Sequence, residues 1–182
     1  MSAKTKLELT WIGKENRPRL EPRILIEAQE LTRPSNMAGI DENLIIQGDN
    51  LLALRALESS LMGRVGCVYI DPPYNTGSAF PSYDDNLEHS LWLSHIRDRI
   101  SVLWGLLRDG GTILISINDD EGHYLKVLCD EVFGRSAFKA CLIWNTEGNT
   151  DNQSKIIRYH EYVLVYTKGD LGTSTSLIQT LH

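Results

Sequence analysis

Val65-Gly66-Cys67-Val68-Tyr69-Ile70-Asp71-Pro72-Pro73-Tyr74-Asn75-Thr76-Gly77 is the stretch whose reading decides the fold. Its first six residues are an apolar run of the buried-strand type, and the run ends at a carboxylate followed by two prolines. Proline fixes φ and donates no hydrogen bond, so Pro72-Pro73 forms a stiff, extended element whose carbonyls can accept. A polar group at the carboxyl end of a buried-type strand suits an open α/β sheet, where ligands bind beyond the strand ends.

The flanking segments agree with such a sheet. Upstream, Leu44-Ile45-Ile46 reads as a short buried-type strand, and Gly48-Asp49 turns it into an amphipathic helix from about Asn50 to Leu61. Downstream, the Gly-, Ser-, Pro-, Asp- and Asn-rich stretch from Asn75 to about Glu88 reads as a surface loop able to close over a substrate. Leu91, Trp92, Ile96, Ile100, Leu103, Trp104 and Leu107 recur at helical spacing and predict a core-packing helix ending at Asp109-Gly110-Gly111. Thr112 to Ile117 reads as a strand. The next helix is expected to reach Phe133 and stop at Gly134; Phe138 to Trp144 and Tyr159 to Thr167 are expected to pair antiparallel across a polar loop from Asn145 to Ile157.

Asn118-Asp119-Asp120-Glu121 has two readings, a metal cluster or a helix start. The helix start is preferred, with Asn118 as the cap and the acids in the first turn, and no metal site is expected. Residues 1–42, with Pro18, Pro22 and Pro34, read as an irregular arm carrying a short element around Ile24-Leu25-Ile26. Residues 43–170 hold the α/β region, and 171–182 read as a tail.

A chain of 182 residues with 42% hydrophobic content can bury one sizeable core. Its net charge of −6 disfavours a self-sufficient nucleic-acid binder. Arg17, Arg19, Arg23, Arg97, Arg99, Lys155 and Arg158 are scattered and read first as solvated surface charges. Cys67, Cys129 and Cys141 lack zinc spacing and read as small core residues of a reduced protein. With no apolar run of membrane-spanning length and no signal pattern, a cytoplasmic chain is expected, without a membrane partner.

Asp71 and a proline carbonyl can together accept both hydrogens of an amino group, and Tyr74 offers a flat face for a planar ring. Those parts describe a site for an amino-bearing nucleobase turned out of a helix. The competing account is that Asp-Pro-Pro merely ends a strand and Tyr74 packs on the core. Asp49, from its place alone, reads as a helix N-cap.

At these residues the chain resembles the amino-methylating DNA methyltransferases, whose signature is Asp/Asn/Ser-Pro-Pro-Tyr. The Asp form followed by Asn-Thr-Gly is similar to the adenine-specific enzymes. The wider likeness is to the modification subunit of type III restriction-modification systems, in the β arrangement of motifs. It is carried also by Thr10-Trp11-Ile12-Gly13-Lys14, Gly48-Asp49-Asn50-Leu51, Tyr83-Asp84-Asp85-Asn86, Ser90-Leu91-Trp92-Leu93, Gly110-Gly111 with Ile115-Ser116-Ile117, Val132-Phe133-Gly134 and His160 to Lys168. The resemblance covers about residues 10 to 168.

The resemblance implies a Rossmann-like, S-adenosylmethionine-dependent methyltransferase sheet of seven strands, including those before Asp49 and Asp71. It implies catalytic roles for Asp71, Pro72, Pro73 and Tyr74, and contact of Asp49 and Asp71 with S-adenosyl-L-methionine. The substrate it implies is a flipped adenine of DNA, and the partners are a second modification subunit and a restriction subunit. The chain departs from the family where a target-recognition region and a Phe-x-Gly-x-Gly loop should follow, for no Gly-x-Gly occurs. The expectation is therefore an incomplete sheet in a truncated or split subunit, paired with a complementary carboxyl-terminal fragment. The strand ending at Ile70 would then lie at a sheet edge. A catalytically inactive remnant or binding module, or an enzyme acting on cytosine N4 or on RNA, is the alternative.

Overall fold

A computed structural model describes residues 8–30, 43–75, 88–146 and 159–170. The expected loops at 76–87 and 147–158, the tail, and Lys155 and Arg158 lie outside them. In chain order the elements are α1 (Asn50–Leu61), β1 (Val65–Ile70), α2 (His89–Leu106), β2 (Leu107–Ile117), α3 (Gly122–Phe133), a single 3₁₀ turn at Arg135–Ala137, β3 (Phe138–Asn145) and β4 (His160–Thr167). The sheet order is β1-β2-β4-β3, with β1 parallel to β2 and β4 antiparallel to both its neighbours. The α/β class, the position of β1 at the sheet edge among the described residues, and the antiparallel β3–β4 pair agree with the sequence.

Strand periodicity explains the core. Alternate residues of a strand share a face, so Ile113, Ile115 and Ile117 of β2 stand beside Tyr166, Leu164 and Tyr162 of β4. Trp92, Leu93, Ile96, Ile100 and Leu103 of α2, with Leu125, Leu128, Cys129 and Phe133 of α3, join this face in one buried cluster. Each such aliphatic side chain contributes about 1.5–3 kcal/mol relative to exposure.

Two boundaries are set by glycine. Gly134 ends α3 at φ 87, in the left-handed region that a side chain disfavours. Between α2 and the regular part of β2, Gly110 takes φ 75 and a Cβ on Gly111 would meet the Arg108 and Val65 carbonyl oxygens at 2.9 and 3.0 Å. The helix end expected at Asp109-Gly110-Gly111 is corrected: α2 stops at Leu106, and Leu107 through Gly111 already belong to β2. Lys168 Nζ closes the end of α2 by donating to the Trp104 and Leu107 carbonyls.

Several expectations are corrected. Leu44-Ile45-Ile46 forms no strand: Leu44 and Ile45 are exposed and no neighbour pairs them. Apolar content alone cannot hold a strand without a partner to complete its ladder. Ile24-Leu25-Ile26 likewise forms no regular element and is exposed. Leu91 of the α2 stripe faces solvent, and only Cys129 of the three cysteines is buried. Cys67 lies on the sheet face opposite the core, because Val68 and Ile70 take the inward positions of β1.

Arg97 is not a solvated charge but is almost wholly buried. It donates to the Lys14 and Asn16 carbonyls and pairs with Asp98 at 2.9 Å. These bonds seat the amino-terminal arm, as do Trp11 Nε1 donating to Ser94 Oγ at 2.7 Å and the Leu9 amide donating to Glu131. Lys14 pairs with Glu131 at 2.7 Å, and the Lys14 and Arg97 cations flank the Trp11 ring. The stretch 8–17 is therefore a docked part of the fold, although the sequence reads it as irregular.

Candidate active site

The site is built at the carboxyl end of β1. Parallel pairing with β2 (Ile70 beside Ile115) carries the chain past the sheet, and Asp71 emerges exposed while Pro72, Pro73 and Tyr74 are half-buried. The Trp92 indole N–H donates to the Pro73 carbonyl at 2.8 Å. Among the described residues, the Pro72 carbonyl receives no hydrogen bond. Of the two proline carbonyls, Pro73 is thus occupied and Pro72 has no partner among the described residues.

Tyr74 is fixed at both ends. Its ring packs against the core cluster, its hydroxyl donates to Glu161 Oε2 at 3.1 Å, and the Asp71 carboxylate stands close to the same hydroxyl. Burial, then the charges of Asp71 and Glu161, push the phenol well above its ordinary range, so it remains a donor. Glu161 lies on β4 opposite Trp144 of β3, which is exposed.

Asn75 follows with φ 59, the only non-glycine residue of positive φ among those described. Its side-chain amide donates to Glu121 Oε1 at 2.8 Å, and His89 Nδ1 stands 2.9 Å from the same oxygen. Behind them, the Tyr162 hydroxyl donates to Asp119 at 2.8 Å and meets His160 Nε2 at 3.1 Å. Four carboxylates, from Asp71, Asp119, Glu121 and Glu161, therefore belong to this end of the sheet.

The expected cap of α3 is also corrected. Asn118 Oδ1 accepts from the Asp120 amide in a tight turn before the helix, and α3 begins only at Gly122. Glu121 occupies the N-cap position but its side chain makes no capping bond. It turns instead towards Asn75 and His89.

Asp49 caps α1, its Oδ1 accepting from the Leu52 amide at 3.0 Å. Its Oδ2 lies 3.7 Å from Arg99, whose Nε donates to Asn50 Oδ1 at 2.6 Å. No contact among the described residues joins Asp49 to Asp71. The structure therefore groups Asp71 to Tyr74 with Glu161, Trp92 and Glu121, and sets Asp49 with Arg99 apart.

Trp92, Glu121 and Glu161 are absent from the sequence-based set of site residues. Periodicity assigns Trp92 wholly to a core stripe and Glu121 to a helix start. Only the reach of one polar atom from each distinguishes them, and periodicity does not report that.

Residues 65–179 match the family model described as DNA methylase, for N6 and N4 methyltransferases. The EcoP15I Mod subunit of the Escherichia coli type III restriction-modification enzyme is 31% identical over 199 residues, covering 91% of this chain. The EcoPI Mod subunit of Escherichia phage P1 is 33% identical over 201 residues, again covering 91% of this chain. The chain spans about a third of the length of both relatives, 31% in each case. Among solved structures, a DNA modification methylase from Thermus thermophilus, TTHA0409, aligns over 68% of this chain and 52% of its own, with a TM-score of 0.50 and 19% identity, a likeness of fold. A family match over most of the chain, joined to homology with type III Mod subunits, establishes that this chain belongs to the N6/N4 DNA methylase family.

Proposed function

We propose that this chain transfers a methyl group from S-adenosylmethionine to the exocyclic amino group of adenine in DNA, as part of a restriction-modification methyltransferase. The observation that carries the reading is the pair of acceptors at the end of β1. Trp92 occupies the Pro73 carbonyl, which leaves the exposed Asp71 carboxylate and the Pro72 carbonyl for the two hydrogens of an amino group.

An exocyclic amino nitrogen is a poor nucleophile because its lone pair is delocalised into the ring. Accepting both hydrogens favours a more tetrahedral nitrogen with the lone pair directed outward, and fixed placement of the two reactants supplies much of the acceleration. The Asp71 charge stabilises the positive charge that develops on that nitrogen and then accepts its proton. Tyr74, anchored through Glu161, is the stacking surface that offsets part of the cost of unstacking the base.

S-adenosylmethionine supplies an electrophilic methyl group on a sulfonium centre. Asp49 fits its nucleoside part, because Oδ1 caps α1 while Oδ2, on a half-exposed side chain, can accept from a hydroxyl or amino group. The Asp start of the motif and the likeness to Mod subunits favour adenine over cytosine. Among the described residues no helix is long and apolar enough to cross a membrane.

The test is transfer of labelled methyl from S-adenosylmethionine to DNA, followed by nucleoside analysis, by this chain alone and with a complementary carboxyl-terminal segment. N6-methyladenine is the expected product, abolished by Asp71→Ala and retained by Asp119→Ala. N4-methylcytosine, or label in RNA alone, would replace the substrate assignment. Full activity of Asp71→Ala would refute the mechanism.

A further inference from the structure

We propose that Glu121 is a positioning residue for the Asp71–Tyr74 acceptor segment, acting through Asn75. This inference rests on the methyl-transfer reading above for its purpose, but on geometry for its existence.

Glu121 Oε1 is approached by two donors, Asn75 Nδ2 at 2.8 Å and His89 Nδ1 at 2.9 Å. The two residues stand at opposite ends of the stretch 76–87, so one carboxylate oxygen joins the close of the acceptor segment to the start of α2. The side chain of Glu121 is 5% exposed, and a carboxylate is taken out of water only when donors compensate it. At the N-cap position the ordinary partner would be an amide of its own helix, yet Glu121 makes no such bond. Its Oε2 is buried without a hydrogen bond, 2.9 Å from His89 Nδ1 but off the line of that donor. The side chain is thus committed to Asn75 and His89 at the expense of local satisfaction.

Asn75 is a turn point that the restraint fixes. Its left-handed φ of 59 is one that asparagine tolerates better than most residues with a side chain, and the bond to Glu121 holds that turn in one orientation. The segment before it is then pinned in succession: Ile70 by β2, Pro73 by Trp92, Tyr74 by Glu161 and Asn75 by Glu121. Asp71 and Pro72, the two residues that grip the amino group in this reading, are left between the pins. If the last pin is lost, the turn relaxes and the two acceptors lose their relative placement, whereas Asp49, on a separate element, is untouched.

The test compares the chain with Glu121→Ala, Glu121→Gln and Asn75→Gly. Nuclear magnetic resonance of the side-chain amides reads the pin directly. Glu121→Ala is expected to move the Asn75 amide pair away from its parent shifts and to broaden the Tyr74 and Asn75 backbone signals, while the β1 and β2 signals stay in place. Glu121→Gln keeps an acceptor oxygen and is expected to keep the Asn75 shifts.

In methyl transfer, Glu121→Ala is expected to lower kcat at least about tenfold with KM for S-adenosylmethionine within about twofold, and Glu121→Gln to restore kcat to within about threefold. Asn75→Gly removes the same bond from the other side with φ still permitted, and should reproduce the kcat loss. An Asn75 amide unmoved by Glu121→Ala, or a Gln variant as impaired as the Ala variant, would overturn the proposal. Activity surviving Asp71→Ala would instead reject the reading of the site, and the Asn75 resonances would still decide the pin.

Discussion

The Trp92 indole N–H and the Pro73 carbonyl meet at 2.8 Å, joining the first turns of α2 to the second proline of the acceptor segment. Trp92 is almost wholly buried, so its one polar atom is satisfied by the motif itself. Trp92→Phe keeps most of the apolar volume and removes the donor. Leaving the Pro73 carbonyl unpaired is expected to cost about 1–3 kcal/mol, read as a lower urea midpoint with an unchanged slope. The same variant frees a competing acceptor beside Pro72, and methyl transfer should fall further than stability alone explains.

Asp49 has two duties that substitution can separate. Asp49→Ser retains a capping oxygen and should leave thermal stability close to that of the parent. Asp49→Ala should cost about 0.5–2 kcal/mol through the lost cap. Both variants should bind S-adenosylmethionine more weakly by calorimetry if Oδ2 contacts it. Equal affinity of Asp49→Ser and the parent would assign Asp49 to helix capping alone.

Tyr166 is fully buried and its hydroxyl donates to Asp130 Oδ1 at 2.8 Å, with the Lys126 carbonyl a second acceptor at 3.2 Å. Burial, then the neighbouring Cys129 and Asp130, raises its pKa far above the ordinary range. A raised pKa contributes stability that is complete below the ordinary value near 10 and is lost as pH rises beyond it. Ultraviolet titration should therefore show Tyr166 and Tyr74 ionising only as the chain unfolds in alkali. Tyr166→Phe is expected to cost about 1–2 kcal/mol at neutral pH and to blunt that alkaline loss.

His95 behaves in the opposite sense. Burial first, then Arg99, lowers its pKa below 6.5, against the opposing pull of Asp49 and Asp98. The neutral ring is favoured in the folded chain, so its contribution is present above 6.5 and is lost as pH falls through the lower folded value. A proton resonance titration should place the His95 midpoint below 6.5, and His95→Gln should flatten the acid side of the stability profile. A midpoint at or above 6.5 would remove this account.

Legibility in the sequence followed the reach of the forces involved. Val65–Ile70, Asn50–Leu61 and the halt at Gly134 are local matters of periodicity, a cap and a positive φ, and they stand where the sequence places them. Leu44–Ile46 failed because a strand also needs a partner, which no local pattern reports. The Asp71–Tyr74 run stood out through residue type alone, as the segment proposed to accept the amino group. Which carbonyl stays available depended on Trp92, 19 residues away, and the fixing of Asn75 depended on Glu121, 46 residues away. The burial of Arg97 was hidden for the same reason, because its partners are the carbonyls of residues more than 80 positions earlier.

The seat of the amino-terminal arm has a consequence for biosynthesis. Trp11 is made 83 residues before Ser94, and Leu9 is made 122 residues before the Glu131 carboxylate that holds it. The indole therefore finds its Ser94 partner only once α2 has been made, and the second anchor, Glu131, is present only once α3 has emerged. The partial sheltering of Trp11 thus waits on contacts far along the chain, and its fluorescence would report the moment at which the arm seats on α2 and α3.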